Sequence, residues 1–133
     1  MAFVADNSVT IAWFVSGQAD RYSRRMLERA RREAIHAPRV WPLEFLNALR
    51  MLERRRRLLT HQVDSVVARL AKLQITVETE PVEMRVLLEL ARRFDLSAYD
   101  ASYLELAMRR GLPLATRDVS LARAARAAGI PLA

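Results

Sequence analysis

Four acids in this 133-residue chain stand at positions where carboxylates can do more than solubilise a surface. Asp6 ends the short apolar run Ala2-Phe3-Val4-Ala5, and Asp118 follows the apolar run Pro113 to Thr116. Glu44 and Asp100 fall in the first turns of two expected helices, one opened by Pro42 and the other capped by Ser97. If the two apolar runs are parallel strands, their terminal acids lie outside the carboxyl edge of one sheet, where ligand crevices form in open α/β folds. Carboxylates converging there repel by about 4 kcal/mol per pair at 4 Å with an effective dielectric of 20. Such a cluster needs a cation or raised pKa values. Mg²⁺ or Mn²⁺ is the natural answer, because these ions prefer oxygen ligands, keep waters, activate hydroxide and neutralise charge developing on a phosphodiester. Taken singly, each acid is more often an ordinary first-turn charge or helix cap. Only the set of four carries the chemistry.

The elements that must hold these acids can be read from periodicity and punctuation. A first strand over Ala2 to Ala5 leads into a helix from about Val9 to Phe14 capped by Ser8 or Asn7, with Ser16-Gly17 breaking the pattern. A second helix runs from about Asp20 to Glu33, with Tyr22, Met26, Leu27 and Ala30 inward, and Ala34 to Ala37 forms a second strand. The Pro42 helix should continue to about Arg57, burying Leu43, Leu46, Leu49 and Leu52 with Phe45 and Ala48, and closing on four consecutive arginines. Thr60 caps a helix to about Leu73, Ile75 to Val77 is a β-branched strand, and Val82 to Phe94 is helical with Val86, Leu87, Leu90 and Ala91 inward. Ser97 to Gly111 is the helix that carries Asp100, and a last helix spans Ser120 to Ala128 before Gly129. Ile130 to Leu132 could add a fifth short strand. Alternating short strands and helices specify an α/β fold, a three-layer α/β/α sandwich with a short, mainly parallel sheet of four to five strands.

Composition bounds the rest. The length fits a single domain over residues 1–133, and 52% hydrophobic content is enough for a proper core. Without cysteine there is neither a disulfide framework nor a thiolate metal site. No apolar run reaches membrane-span length and the start lacks a signal-peptide pattern, so a soluble, cytoplasmic protein is expected. The formal charge of +7 comes almost wholly from arginine, since Lys72 is the only lysine; an arginine-rich surface suits phosphate or acidic peptide, and equally a solvated helix face. The glycines form no phosphate-cradling loop. His36 and His61 are expected to be structural or exposed, and Trp13 and Trp41 to serve packing or a dimer seam. Tyr99 and Tyr103, four apart on the helix that carries Asp100, could flank the pocket, with core packing as the default.

Four segments, VADNSV, WPLEFLNAL, LSAYDASYLELA and LPLATRDVSL, resemble in order and placement the motifs of the PIN domain, and most closely those of VapC-type toxins of bacterial toxin–antitoxin pairs. The resemblance spans nearly the whole chain, and AYDA followed by LPLAT-x-D is its most specific part. It implies an Mg²⁺- or Mn²⁺-dependent endoribonuclease in which Asp6, Glu44, Asp100 and Asp118 match the metal-binding, catalytic acids. Ser8, Asn47 and Thr116 match supporting polar positions. It also implies an RNA substrate, a homodimer and a small antitoxin partner. Many relatives carry another acid or polar ligand just after the fourth acid, where this chain has Val119 and Ser120, which implies a weaker second metal position.

Other functions compete with this one. A non-catalytic PIN-like RNA-binding or scaffold protein would not need the intact acid set. A receiver-like phosphoacceptor wants paired acids after the first strand and a late-strand lysine, and Asn7 and the isolated Lys72 meet neither need. Haloacid-dehalogenase chemistry lacks its second aspartate in Asp6-Asn7-Ser8.

Overall fold

The computed structural model describes residues 1–15 and 17–133; Ser16, half of the expected Ser16-Gly17 break, lies outside the described residues. Four short strands, β1 (Ala2–Ala5), β2 (Ala34–Ala37), β3 (Ile75–Val77) and β4 (Leu114–Ala115), form one parallel sheet in the order β3-β2-β1-β4. Seven helices accompany them among the described residues: α1 (Asn7–Ala12), α2 (Arg21–Ala30), α3 (Trp41–Arg54), α4 (Thr60–Leu70), α5 (Met84–Phe94), α6 (Ala98–Arg110) and α7 (Val119–Ala127). The expected α/β/α sandwich is therefore present. Ile130 to Leu132 contributes a single parallel bridge, Leu114 to Leu132, rather than a full fifth strand.

Strand alternation distributes the core between two layers. Phe3 and Ala5 face a cluster with Val9, Trp13, Met26, Ala30, Ile35 and Ala115, while Val4 and Leu114 face another built from α3, α6 and α7. Both faces are covered, as a parallel sheet requires. Because β2 and β4 flank β1 on opposite sides, strand order reverses at β1, and the crevice of such a sheet opens beyond the carboxyl ends of β1 and β4.

Several boundaries differ from the sequence expectation, each for an identifiable reason. Asp6, rather than Ser8 or Asn7, caps α1, its Oδ1 accepting from the Val9 N–H at 3.2 Å. Thr60 is the first residue of α4 rather than its cap; the Gln62 side chain accepts from the Leu59 N–H at 2.7 Å. Helix α3 stops at Arg54 instead of Arg57, and Arg56 turns into the left-handed region with φ of 58°. Its buried face is Trp41, Phe45 and Leu49, while Leu43 and Leu46 are 72% and 49% exposed. A leucine every third residue falls about 60° short of a full turn at each step, so the row from Leu43 to Leu52 winds half-way round the helix. In α5 Leu87, Leu90 and Ala91 are half-buried, and Val86 is exposed.

Ser97 and Gly111 bound α6 as expected. The Ser97 hydroxyl accepts from the Asp100 N–H at 3.0 Å, and Gly111 takes φ of 63°, where a side chain would be strained.

Candidate active site

Asp6 is the most deeply set of the four acids, 4% exposed where β1 passes into α1. Its Oδ1 accepts from the Ser8 hydroxyl at 2.6 Å and from Val9 N–H at 3.2 Å; its Oδ2 accepts from the Thr116 hydroxyl at 2.5 Å. A carboxylate offers about four lone-pair positions, so three donors leave one, on Oδ2. Burial pushes the Asp6 pKa up to about 6 against those three hydrogen bonds, with a smaller push from the Asp100 charge.

Thr116 joins Asp6 to Asp118. The same hydroxyl that donates to Asp6 accepts the Asp118 N–H at 2.9 Å. Asp118 caps α7 through Oδ1, which accepts from Leu121 N–H at 2.8 Å, so its other oxygen has no hydrogen-bond partner among the described residues. A backbone bond from Asp6 N–H to Ala115 O at 3.1 Å holds the two strand ends in register.

Glu44 and Asp100 arrive from the helices. Trp41 fixes the start of α3 against α1 by donating its indole N–H to Thr10 Oγ1 at 3.0 Å, which places Glu44 one turn further on. The buried Tyr103 hydroxyl donates to Glu44 Oε1 at 2.7 Å, leaving Oε2 without a hydrogen-bond partner among the described residues. Tyr103 is thus in the core, as the default had it, and also touches a candidate acid, as its place on the helix allowed, whereas Tyr99 is exposed. Its own pKa is raised, first by burial and then by the Glu44 hydrogen bond, with charge from Asp6 and Asp100 adding to both.

The electrostatics tie the four acids into one set. Glu44 is raised by burial, lowered by the Tyr103 bond and raised again by Asp100. Asp100 is raised by burial and by Asp118, and lowered by Ser97. Asp100 therefore couples to each of the other three acids. Among the described residues no three acids stand close enough to hold one ion together. The donors fit a hard divalent ion in kind: oxygen only, with raised proton affinity on Asp6, Glu44 and Asp100, and single anchoring bonds that leave one oxygen free on both Glu44 and Asp118.

Of the supporting residues, Ser8 and Thr116 touch Asp6 directly. Asn47 does not join them: it is exposed on α3, and its amide reaches only Met51 Sδ at 3.9 Å. Beside Asp118 an open cleft of about 530 Å³ is lined by Ser8, Asp20, Tyr22, Arg117 and Asp118. Sequence reasoning did not place Asp20, Tyr22 and Arg117 beside the acids, because nothing in their spacing joins the start of α2 to the loop after β4.

The PIN domain family matches residues 3–127 of the chain. This protein belongs to the PIN domain family. The PIN domain is 36% identical over 96 residues to ribonuclease VapC3 of Mycobacterium tuberculosis, an overlap covering 72% of this chain and 69% of that protein. Its fold is similar to PAE2754 from Pyrobaculum aerophilum, with TM-score 0.65, 24% identity and coverage of 93% and 87% of the two chains. It is also similar to a chain in the structure of VapBC2 from Rickettsia felis bound to a DNA fragment from their promoter, with TM-score 0.70, 11% identity and coverage of 100% and 98%. A third likeness is FitAcB from Neisseria gonorrhoeae, with TM-score 0.65, 17% identity and coverage of 99% and 96%. At these identities the solved structures speak for the fold alone. Among the described residues no helix of this PIN domain is long and apolar enough to cross a membrane.

Proposed function

We propose that this PIN domain is a Mg²⁺- or Mn²⁺-dependent endoribonuclease that hydrolyses RNA phosphodiester bonds, and that it is the toxin of a toxin–antitoxin pair. The observation that carries the reading is the hydrogen-bonded link from Asp6 through Thr116 to Asp118 at the carboxyl ends of β1 and β4, with Tyr103 holding Glu44 and the Asp100 charge felt by Asp6 and Glu44. The similarity to a VapC ribonuclease supports the substrate class. The toxin–antitoxin setting, a small antitoxin and a homodimer are proposed on the VapC resemblance.

A bound Mg²⁺ or Mn²⁺ would supply an activated water and neutralise charge building on the phosphate. The chain's own residues do the positioning. Asp6, Asp100 and Asp118 offer oxygens to the ion, and Asp6 is pre-aimed by Ser8, Thr116 and Val9 N–H. Glu44, held at one oxygen by Tyr103, has the other free to serve as ligand or to orient the attacking water. Its raised proton affinity suits the second task.

The test is incubation of the purified protein, free of any partner, with structured RNAs in Mn²⁺ and in EDTA. Cleavage in Mn²⁺ and none in EDTA is expected; equal cleavage in both sinks the metal mechanism.

A further inference from the structure

The cleft beside the acids holds an arginine, Arg117, that neither the family resemblance nor the carboxylate chemistry uses. Arg117 lies between Thr116 and Asp118 and is fastened at two points. Its backbone N–H donates to Ser8 Oγ at 2.9 Å, and Ser8 donates onward to Asp6 at 2.6 Å. Its Nε donates to Asp20 Oδ2 at 3.1 Å, and Asp20 is itself fixed as the cap of α2, accepting from Ser23 N–H at 2.7 Å. Only Nε is engaged: among the described residues neither Nη group has a hydrogen-bond partner, and the side chain keeps 30% of its exposure.

Other arginines are committed differently. Arg29, Arg31 and Arg50 pair with carboxylates on or next to their own helices, and Arg109 and Arg110 engage Glu78 and Glu105. Of the described residues lining the cleft, Arg117 is the only cation. A guanidinium held at Nε presents its two terminal NH₂ groups as a preformed planar fork, which matches two oxygens of one phosphate.

We propose that Arg117 is a substrate-binding residue that grips a backbone phosphate of the RNA and so sets the strand's register over the acids. Asp20 keeps the fork in orientation. The proposal rests on reading the acid cluster as a phosphodiesterase site. A flexible lysine there would supply charge without the fork.

The test reads RNA binding separately from cleavage. Affinity for a fluorescein-labelled single-stranded RNA is measured by anisotropy in Ca²⁺ across a salt series, for wild type, Arg117→Ala and Arg117→Lys, beside thermal melting of each. Arg117→Ala is expected to weaken binding about tenfold and to reduce the slope of log K against log salt by about 0.7, the contribution of one lost phosphate contact on a single strand. Arg117→Lys restores the slope and part of the affinity. Melting temperatures stay together, and in Mn²⁺ the alanine variant raises KM more than it lowers kcat. Wild-type affinity and slope in Arg117→Ala overturn the proposal, as does a loss that follows a fallen melting temperature and is not recovered by lysine. An Arg117-dependent slope in a protein that cleaves no RNA in Mn²⁺ refutes the nuclease reading and with it the substrate role, leaving only a phosphate contact at Arg117. Cleavage with an unchanged slope refutes the proposal and leaves the nuclease reading standing, and a protein that binds no RNA refutes both.

Discussion

Asp6 concentrates the conflict that defines the site. It is buried, yet it is the cap of α1 and the acceptor of two side-chain hydroxyls, and its pKa stands near 6 against an ordinary 3.8. Between about pH 4 and pH 6 the folded protein keeps a proton that the unfolded chain has released. Stability therefore falls as pH rises through that window, by on the order of 3 kcal/mol for a shift of this size, and the loss is complete above the folded pKa. Asp100 and Glu44, also raised, act in the same direction. Metal-free protein in EDTA should thus melt at a higher temperature near pH 4.5 than its carboxylate-rich site would allow at pH 7, and Asp6→Asn, which preserves a good cap, should flatten this dependence. Melting curves from pH 4 to 7.5 decide it; a pH slope indifferent to the substitution contradicts the assignment. Mn²⁺ should offset the neutral-pH penalty, because ligation favours the ionised acids.

At the scale of elements, α3 shows how far a pattern can be trusted. Its leucine row suggested a stripe, but Trp41, Phe45 and Leu49, spaced by four, are the residues it buries. Leu49→Ala should lose about 2–5 kcal/mol in urea unfolding, as a core truncation does, whereas Leu43→Ala should stay within about 0.5 kcal/mol. Equal effects would contradict the observed face. The termini of α6 were legible because Ser97 and Gly111 are strong, local signals whose chemistry needs no tertiary partner. The end of α3 was not, since arginine is a good helix former and nothing between Arg54 and Arg57 forbids another turn. The cap of α1 was misplaced by one or two residues because Asp6, Asn7 and Ser8 all carry capping side chains, and burial at the strand end selected the first.

Across the whole molecule, sequence order placed each acid on its element, and the parallel sheet brought the elements to one edge. Three long-range hydrogen-bonded pairs complete the proposed site: Tyr103 with Glu44, Thr116 with Asp6, and Arg117 with Asp20. None could be read from spacing, for each joins residues at least 59 positions apart. The formal charge of +7 is likewise uneven in use, with Arg117 at the cleft and the exposed run Arg54 to Arg57 at the end of α3. The central claim is that four carboxylates act as one metal-dependent site, with Asp100 as the shared member. It is tested most directly by Asp100→Asn assayed for Mn²⁺-dependent RNA cleavage and for melting of the metal-free protein. Cleavage should fall about 100- to 1,000-fold while stability stays within about 1 kcal/mol of wild type, since a first-turn charge is lost and repulsion is relieved together. Undiminished cleavage, or a variant that loses its fold along with its activity, would contradict the account.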